Sequence, residues 1–191
     1  MNRVLFALIM ALVGLLVNPD AGLGGRLGFK GSDGRAEQAR SEGAEDRSGP
    51  RMHQTLLRLI ELGADKVQFL TCEGRMGDSW LPEGVNNVSK ITGAEPSNAQ
   101  DTKNAVIKMV EGGIDALLYA GGDGTTRDII STLQEIGRDD LPLIGVPSGV
   151  KMHSGCFAAT PQAAAEVLHA WFRGDLLVAN TEVMDLDEEA Y

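Results

Sequence analysis

Short strand-like runs alternate along this chain with longer segments whose apolar residues recur at helical spacing. In the clearest stretch, runs at residues 115–120 and 143–146 flank a segment that ends at Gly137. Ile129 and Leu133 lie on one helical face of that segment. Uninterrupted apolar runs are typical of strands buried on both sides. The strand, helix, strand order therefore predicts an α/β fold in which helices cover both faces of a parallel sheet.

The remaining strands and helices are predicted from the same two periodicities and from their boundary residues. Strands are expected at residues 14–17, 67–71 and 88–91. Helices that end at a glycine are expected from Met52, from a capping box of Ser97 and Gln100, and from a Thr160 cap followed by Pro161. Residues 18–50 have no sustained apolar period and are predicted to form a long loop.

The charge balance and the cysteines exclude several classes of function. Lysine and arginine number 17 against 27 acidic residues, a net charge of -10, so bulk attraction to nucleic acid or to an anionic membrane is not expected. Cys72 and Cys156 stand far apart without a CxxC motif, which indicates neither a zinc site nor a disulfide framework. An anionic nucleotide can still bind if backbone N–H groups and a few local cations hold it.

The first residues leave two interpretations open. Residues 4–17 are apolar apart from Gly14 and follow Arg3, as in a signal peptide, so export or anchoring through this segment is one alternative. No small-x-small cleavage site follows, and the run is shorter than a membrane-spanning helix requires. We therefore expect a cytoplasmic protein in which residues 1–12 are an apolar extension before the first strand.

The segment at residues 119–126 carries the strongest signal for chemistry, because three glycines join a buried strand to the start of a helix. Glycine allows the backbone to approach a phosphate closely, and the helix dipole favours negative charge at that point. Asp123 lies among these glycines, where it is suited to take a proton from an attacking hydroxyl or to bind a metal ion. The alternative is a plain Asp-Gly turn before a helix capped by Thr125 or Thr126.

Two further glycine loops follow predicted strands. The loop that starts at Asn18 continues to Lys30, a cation for a polyphosphate, with Arg26 and Arg35 as weaker candidates; a solvated flexible loop is the alternative. The loop at residues 145–155 offers Ser148 and Ser154 as hydrogen-bonding groups, Lys151 as a cation and His153 as a possible base. Loops after parallel strands can face one crevice.

The order of these motifs, Asn-Pro-x-Ala-Gly, Gly-Gly-Asp-Gly-Thr and Gly-Val-Pro-Ser-Gly-Val-Lys-Met, resembles the ATP-NAD kinase family from about Gly14 onward. It is most similar to the predicted ATP- or polyphosphate-dependent branch, which includes proteins named after acetoin catabolism. The wider superfamily, with diacylglycerol and sphingosine kinases, shares the Gly-Gly-Asp-Gly loop. The resemblance implies phosphoryl transfer from ATP or polyphosphate to the 2′-hydroxyl of NAD, giving NADP, with Mg²⁺ required.

The resemblance matches Asp123 with the family's catalytic aspartate, and no residue is assigned as a metal ligand. NAD and ATP are the implied partners. The resemblance and the motifs together predict these nucleotide- and phosphate-binding residues: Asn18, Gly22, Gly24, Gly25, Lys30, Gly121, Gly122, Gly124, Thr125, Ser148, Gly149 and Lys151.

Three expectations concern the organisation of the protein. Residues 13–180 are predicted to form the kinase lobe, and residues 181–191 to begin a β-rich second domain that the family uses to complete the NAD site and that is truncated here. We expect a homo-oligomer that binds neither nucleic acid nor membrane. Residues 145–152 replace an Asn-Gly-rich stretch of better-known NAD kinases, so a lipid or other small-molecule kinase, or a non-catalytic nucleotide-binding accessory protein, stays open as an alternative.

Overall fold

A computed structural model describes residues 11–23, 36–64, 67–149 and 152–183 of the chain. The described residues include five strands: β1 (Leu12–Val17), β2 (Gln68–Cys72), β3 (Val88–Ile91), β4 (Ala116–Gly121) and β5 (Leu143–Pro147). They also include five α-helices: α1 (Ala36–Ser41), α2 (Ser48–Glu61), α3 (Ala99–Glu111), α4 (Asp123–Glu135) and α5 (Pro161–Phe172). Two short 3₁₀ turns, Gly74–Met76 and Asp78–Trp80, lie between β2 and β3.

All five strands pair in parallel in the order β3-β2-β1-β4-β5. β1 and β4 are central neighbours, with Leu16 opposite Tyr119 and Val17 opposite Ala120. From β1 the chain proceeds to one side of the sheet, and from β4 it proceeds to the other side. The strand order therefore reverses between β1 and β4, and such a reversal opens a crevice at the carboxyl ends of the two strands.

The sheet separates two apolar cores because successive side chains of a strand point to opposite faces. On one face, Val13 and Leu15 of β1 pack with Met52 and Leu56 of α2 and with Leu168 of α5. On the other face, the core contains Leu16 of β1 together with residues of α3, α4 and β4: Val106, Met109, Leu117, Tyr119, Ile129 and Leu133. Helices thus cover both faces, which confirms the predicted α/β fold.

The prediction of one long loop over residues 18–50 is wrong at its end. Residues 24–35 lie outside the described part of the chain, but α1 forms at Ala36–Ser41 and α2 begins at Ser48, four residues before Met52. The first turn of α2 consists of polar and small residues, so the helical spacing of apolar residues does not reveal it in the sequence. It is buried through tertiary contacts instead: the Ser48 hydroxyl donates to the Ala21 carbonyl (3.0 Å), and Gly49 lies against the indole of Trp80.

The start of α3 differs by one residue from the prediction. Asn98 rather than Ser97 caps this helix, because its side-chain oxygen accepts from the backbone N–H groups of Gln100 (2.8 Å) and Asp101 (3.3 Å). The Asp101 carboxylate accepts in return from the Asn98 N–H (2.9 Å), which completes the capping box. Two adjacent residues with good capping side chains made the sequence pattern ambiguous at this point.

Both cysteines are free thiols, Cys72 buried and Cys156 half-buried. Burial raises the pKa of Cys72 to about 12 and also raises the pKa of Cys156, so both thiols are protonated at neutral pH. Across the described residues we find no helix of the length and apolarity that a membrane crossing requires. Residues 1–10 of the predicted extension and residues 184–191 of the predicted second domain lie outside the described part.

Leu56→Ala and Leu57→Ala provide a matched test of this packing. Leu56 is fully buried, whereas Leu57, the next residue of α2, is 43% exposed. We expect Leu56→Ala to lower the free energy of unfolding by about 3 kcal/mol, because it leaves a cavity in the core, and Leu57→Ala to lower it by less than about 1 kcal/mol. Urea unfolding followed by circular dichroism measures both values. Equal losses would contradict the placement of Leu56 in the core.

Candidate functional site

The turn from β4 into α4 lies at the crevice, and it is short because two glycines form it. β4 ends at Gly121, Gly122 is extended (φ -121°, ψ -170°), and α4 begins directly at Asp123. A Cβ atom at position 121 would lie 2.6 Å from Cβ of Thr125, so only glycine fits there. The backbone therefore passes from strand to helix through a single residue, Gly122; this glycine turn, residues 121–122, is called the second loop.

The start of α4 differs from the starts of the helices on either side of it in the sequence. A side-chain oxygen of Asn98 caps α3, and the hydroxyl of Thr160 caps α5, whereas Gly122 holds the same position in α4 and has no side chain. The first N–H groups of a helix have no partner within the helix, and they attract negative charge. The uncapped start of α4 is therefore suited to bind an anion.

Two threonines in the first turn of α4 are buried and join this turn to its surroundings. Oγ1 of Thr125 accepts from Nδ2 of Asn18 (2.9 Å), which follows β1. Oγ1 of Thr126 donates to the Gly122 carbonyl (3.1 Å) and lies 2.6 Å from the hydroxyl of Tyr119, which is also 3.0 Å from Sγ of Cys156. Neither threonine caps α4, so that alternative interpretation of the segment is wrong.

The loop after β1, called the first loop (residues 18–23), is held by several polar contacts. Oδ1 of Asn18 accepts from the N–H of Asp20 (3.0 Å), and the Asp20 carboxylate pairs with Arg40 (2.5 Å). The hydroxyl of Ser48 donates to the Ala21 carbonyl (3.0 Å), which attaches the loop to the start of α2. The described part of this loop is therefore fixed against α2 and β4.

The loop after β5, called the third loop (residues 148–155, of which 150 and 151 lie outside the description), contacts both other loops. The Ser148 N–H donates to the Gly121 carbonyl (3.1 Å). A Cβ atom at Gly22 would lie 2.2 Å from the Ser148 carbonyl oxygen, and one at Gly122 would lie 3.8 Å from Cα of Gly149. The three glycine-containing loops thus meet at the carboxyl ends of β1, β4 and β5.

Asp123 connects α4 to the third loop. Its Oδ2 accepts from the N–H of His153 (2.9 Å), and its Oδ1 accepts from the N–H (3.0 Å) and the hydroxyl (2.6 Å) of Ser154. An ionised carboxylate can accept about four hydrogen bonds. The half-buried Asp123 is therefore held in one orientation by the described donors and has capacity left for one further donor.

The structure brings nine of the predicted site residues close together. Asn18, Gly22, Gly121, Gly122, Asp123, Gly124, Thr125, Ser148 and Gly149 lie where the three loops meet. Of these, Gly124 is exposed, whereas Ser148 is fully buried and its hydroxyl donates to the Val146 carbonyl (3.2 Å). Gly24, Gly25, Lys30 and Lys151 lie outside the described residues.

Sequence reasoning missed two arginines beside these loops, Arg47 and Arg51 at the start of α2. Nη1 of Arg51 donates to the carbonyl of Pro147 at the end of β5 (2.5 Å). Cδ of Arg47 lies 3.2 Å from the position that a Cβ atom at Gly22 would occupy. Burial and the nearby charge of Arg47 lower the pKa of Arg51. The sequence did offer a signal for this pair: the two arginines are four residues apart, and the first turn of α2 contains no acidic residue.

A doubly wound parallel sheet with glycine loops at its switch point places this protein in the class of α/β domains that bind ligands at the carboxyl ends of their strands. A family model described as the ATP-NAD kinase N-terminal domain matches residues 13–176, and the chain belongs to this family. No curated protein and no solved structure matched the chain. Family membership indicates a phosphotransferase related to NAD kinases.

Gly22→Ala and Gly43→Ala together test the contact between the first and third loops. Both variants place alanine at a positive φ, but only Gly22→Ala also disturbs that contact. Both glycines have positive φ (84° and 88°), but only Gly22 lacks room for a Cβ atom, because Ser148 lies against it. We expect Gly43→Ala to cost about 1 kcal/mol of stability and Gly22→Ala at least about 1 kcal/mol more. Thermal or urea unfolding measures the difference. Equal destabilisation would show that the first and third loops are not in contact.

Proposed function

We propose that this protein transfers a phosphoryl group from ATP or inorganic polyphosphate to the 2′-hydroxyl of NAD, giving NADP. The observation that carries the proposal is the convergence of the three loops at the switch point, with Asp123 held among them. Membership of the ATP-NAD kinase family supports the reaction class. We further propose that the chain belongs to the ATP- or polyphosphate-dependent branch of that family, within the superfamily that shares the Gly-Gly-Asp-Gly loop.

The uncapped start of α4 is the proposed binding site for the donor phosphates. Gly122 and Gly124 leave the first N–H groups of the helix accessible to a ligand, since a Cβ atom at Gly124 would meet no other atom within 4 Å. Backbone N–H groups and the helix dipole favour a phosphate at this position. Asn18, Gly22 and Gly149 surround it from the neighbouring loops.

Asp123 is the proposed general base. Phosphoryl transfer depends mainly on positioning and on stabilisation of charge, and a base must hold a fixed place relative to the attacking oxygen. The donors from His153 and Ser154 provide that fixed place and leave acceptor capacity for the 2′-hydroxyl of the acceptor. Asp123 would take the proton from this hydroxyl as the oxygen attacks the terminal phosphorus of the donor; the bond from that phosphorus to its bridging oxygen breaks, and ADP or the shortened polyphosphate leaves.

Mg²⁺, which the family requires, fits this arrangement. Within the described residues, no three His, Cys, Asp or Glu side chains gather around a possible metal position. Mg²⁺ is commonly held by one or two carboxylates together with substrate phosphates, so a separate protein cage is not needed. The donor phosphates would supply the main ligands of such an ion at the start of α4, and the ion would neutralise part of their negative charge, while the remaining acceptor position of Asp123 stays with the 2′-hydroxyl.

The identity of the molecule that accepts the phosphoryl group distinguishes this proposal from the alternatives. The purified full chain is incubated with Mg²⁺ and either ATP or polyphosphate, and each of NAD, diacylglycerol and sphingosine is offered in turn. NADP formed from NAD supports the proposal. A phosphorylated lipid with no NADP would instead support a lipid kinase of the same superfamily. ATP binding without product from any acceptor would support a non-catalytic nucleotide-binding protein.

Asp123→Asn tests the role of the carboxylate. We expect NADP formation to fall by at least about 100-fold, because the amide cannot accept the proton, while ATP binding persists. Asp140→Asn is the control, since this exposed carboxylate pairs only with Arg138 among the described residues and is expected to keep full activity. An Asp123→Asn variant with more than a tenth of the wild-type rate would exclude Asp123 as the base.

Ser154→Ala distinguishes proton transfer from a purely structural role of Asp123. It removes only one of the described hydrogen bonds to the carboxylate and leaves the carboxylate itself in place. We expect a loss of no more than about 30-fold in rate, since one hydrogen bond to a charged group contributes about 2 kcal/mol and each 1.4 kcal/mol is about tenfold in rate. If Ser154→Ala reproduced the whole effect of Asp123→Asn, Asp123 would act only by holding the third loop.

A further inference from the structure

Two arginines lie about one helical turn apart where α2 begins. Arg47 occupies the cap position of α2, and Arg51 lies in its first turn. Residues four apart on a helix are neighbours on one face, with Cβ atoms about 5–6 Å apart. Both side chains are half-buried, and both lie beside the loops that form the candidate site.

The positive charge of this arginine pair is not balanced within the described part of the chain. The nearby carboxylates pair with other arginines: Asp20 and Asp46 with Arg40, Asp46 also with Arg75, and Glu61 and Glu166 with Arg58. No described carboxylate lies within ion-pair distance of Arg47 or Arg51. In a chain of net charge -10, the pair is a local concentration of positive charge.

At this position, the two positive charges are electrostatically unfavourable unless an anion is bound. The positive end of the helix dipole disfavours cations at the start of α2, and no acidic residue lies in its first turn. Burial of the side chain, and secondly the neighbouring charge of Arg47, lower the pKa of Arg51. A bound anion would offset both effects, and the fold places the Arg47 side chain beside Gly22 and the Arg51 guanidinium on the Pro147 carbonyl.

We propose that Arg47 and Arg51 bind the phosphates of the donor that are not transferred, as a cationic subsite opposite the start of α4, where the terminal phosphate lies. This inference rests on the proposed function, and it assigns an orientation to the donor's phosphate chain within the crevice. α2 and α4 cover opposite faces of the sheet, so the arginines approach the crevice from one face and Asp123 from the other. The phosphate chain then lies between the first and third loops, with the transferred phosphoryl group beside Asp123 and the remaining phosphates beside the arginines.

The chemistry that this subsite recognises is a linear chain of phosphates. Guanidinium groups carry several N–H donors and bind phosphate oxygens in pairs, and Arg51 uses one nitrogen on the Pro147 carbonyl. Two such groups about one turn apart suit an anion with charge on successive groups better than a single carboxylate. Both the triphosphate of ATP and inorganic polyphosphate have this chemistry, so the experiment must include both.

Calorimetric titration of the full chain with tripolyphosphate, ATP and adenosine tests the subsite. Arg47→Gln is the decisive variant, because no described hydrogen bond or ion pair depends on its side chain. We expect it to weaken binding of tripolyphosphate and ATP by about tenfold or more, to leave adenosine binding unchanged and to reduce the salt dependence. Arg51→Gln is expected to behave likewise, and Arg51→Lys to recover part of the affinity.

Arg58→Gln is the matched control, since it removes the same charge from the same helix, away from the three loops. We expect its binding of tripolyphosphate and ATP to equal that of the wild type. Unchanged affinity and salt dependence in Arg47→Gln would overturn the subsite, and so would a wild-type chain that binds no tripolyphosphate. If Arg47→Gln loses tripolyphosphate binding while the wild type forms no NADP, the subsite stands and the proposed NAD kinase activity fails.

Discussion

The parallel pairing of β1 with β4 is the constraint on which the rest of the candidate site depends. The two strands are distant in sequence, yet their register places Val17 beside Ala120, so the residues that follow them emerge side by side. The hydrogen bond from Asn18 to Thr125 is possible only because of this pairing. The reversal of strand order at the same place sends the connecting helices to opposite faces and leaves the crevice between the loops open.

Opposite charges reach this crevice from opposite faces of the sheet. On one side, α4 contributes a carboxylate, Asp123, that the third loop holds through backbone and hydroxyl donors. On the other side, α2 contributes Arg47 and Arg51 without a described acidic partner. The net charge of -10 therefore says little about the ligand, because binding of an anion depends on the local field and on backbone N–H groups.

Sequence reasoning succeeded where the signal was local and failed where a contact came from elsewhere in the chain. The strand at residues 88–91 and the helix capped by Thr160 were predicted where the structure has them, because side-chain periodicity and capping are read from neighbouring residues. The first turn of α2 was missed, since Ser48 and Gly49 are buried only by contacts with the first loop and Trp80. The same holds for the arginine pair, whose basic residues look like an ordinary solvated surface until Gly22 and Pro147 are placed beside them.

By itself, the sequence determined the alternation of strands and helices and the positions where glycine is required, because periodicity and backbone conformation are local properties of the chain. Only the tertiary structure decided that the three loops meet, that His153 and Ser154 hold Asp123, and that α2 brings its arginines to the same place. The physical reason is that each of these contacts joins residues far apart in sequence. They form only once the strands have taken the order β3-β2-β1-β4-β5, which depends on how the helices pack against the sheet as a whole.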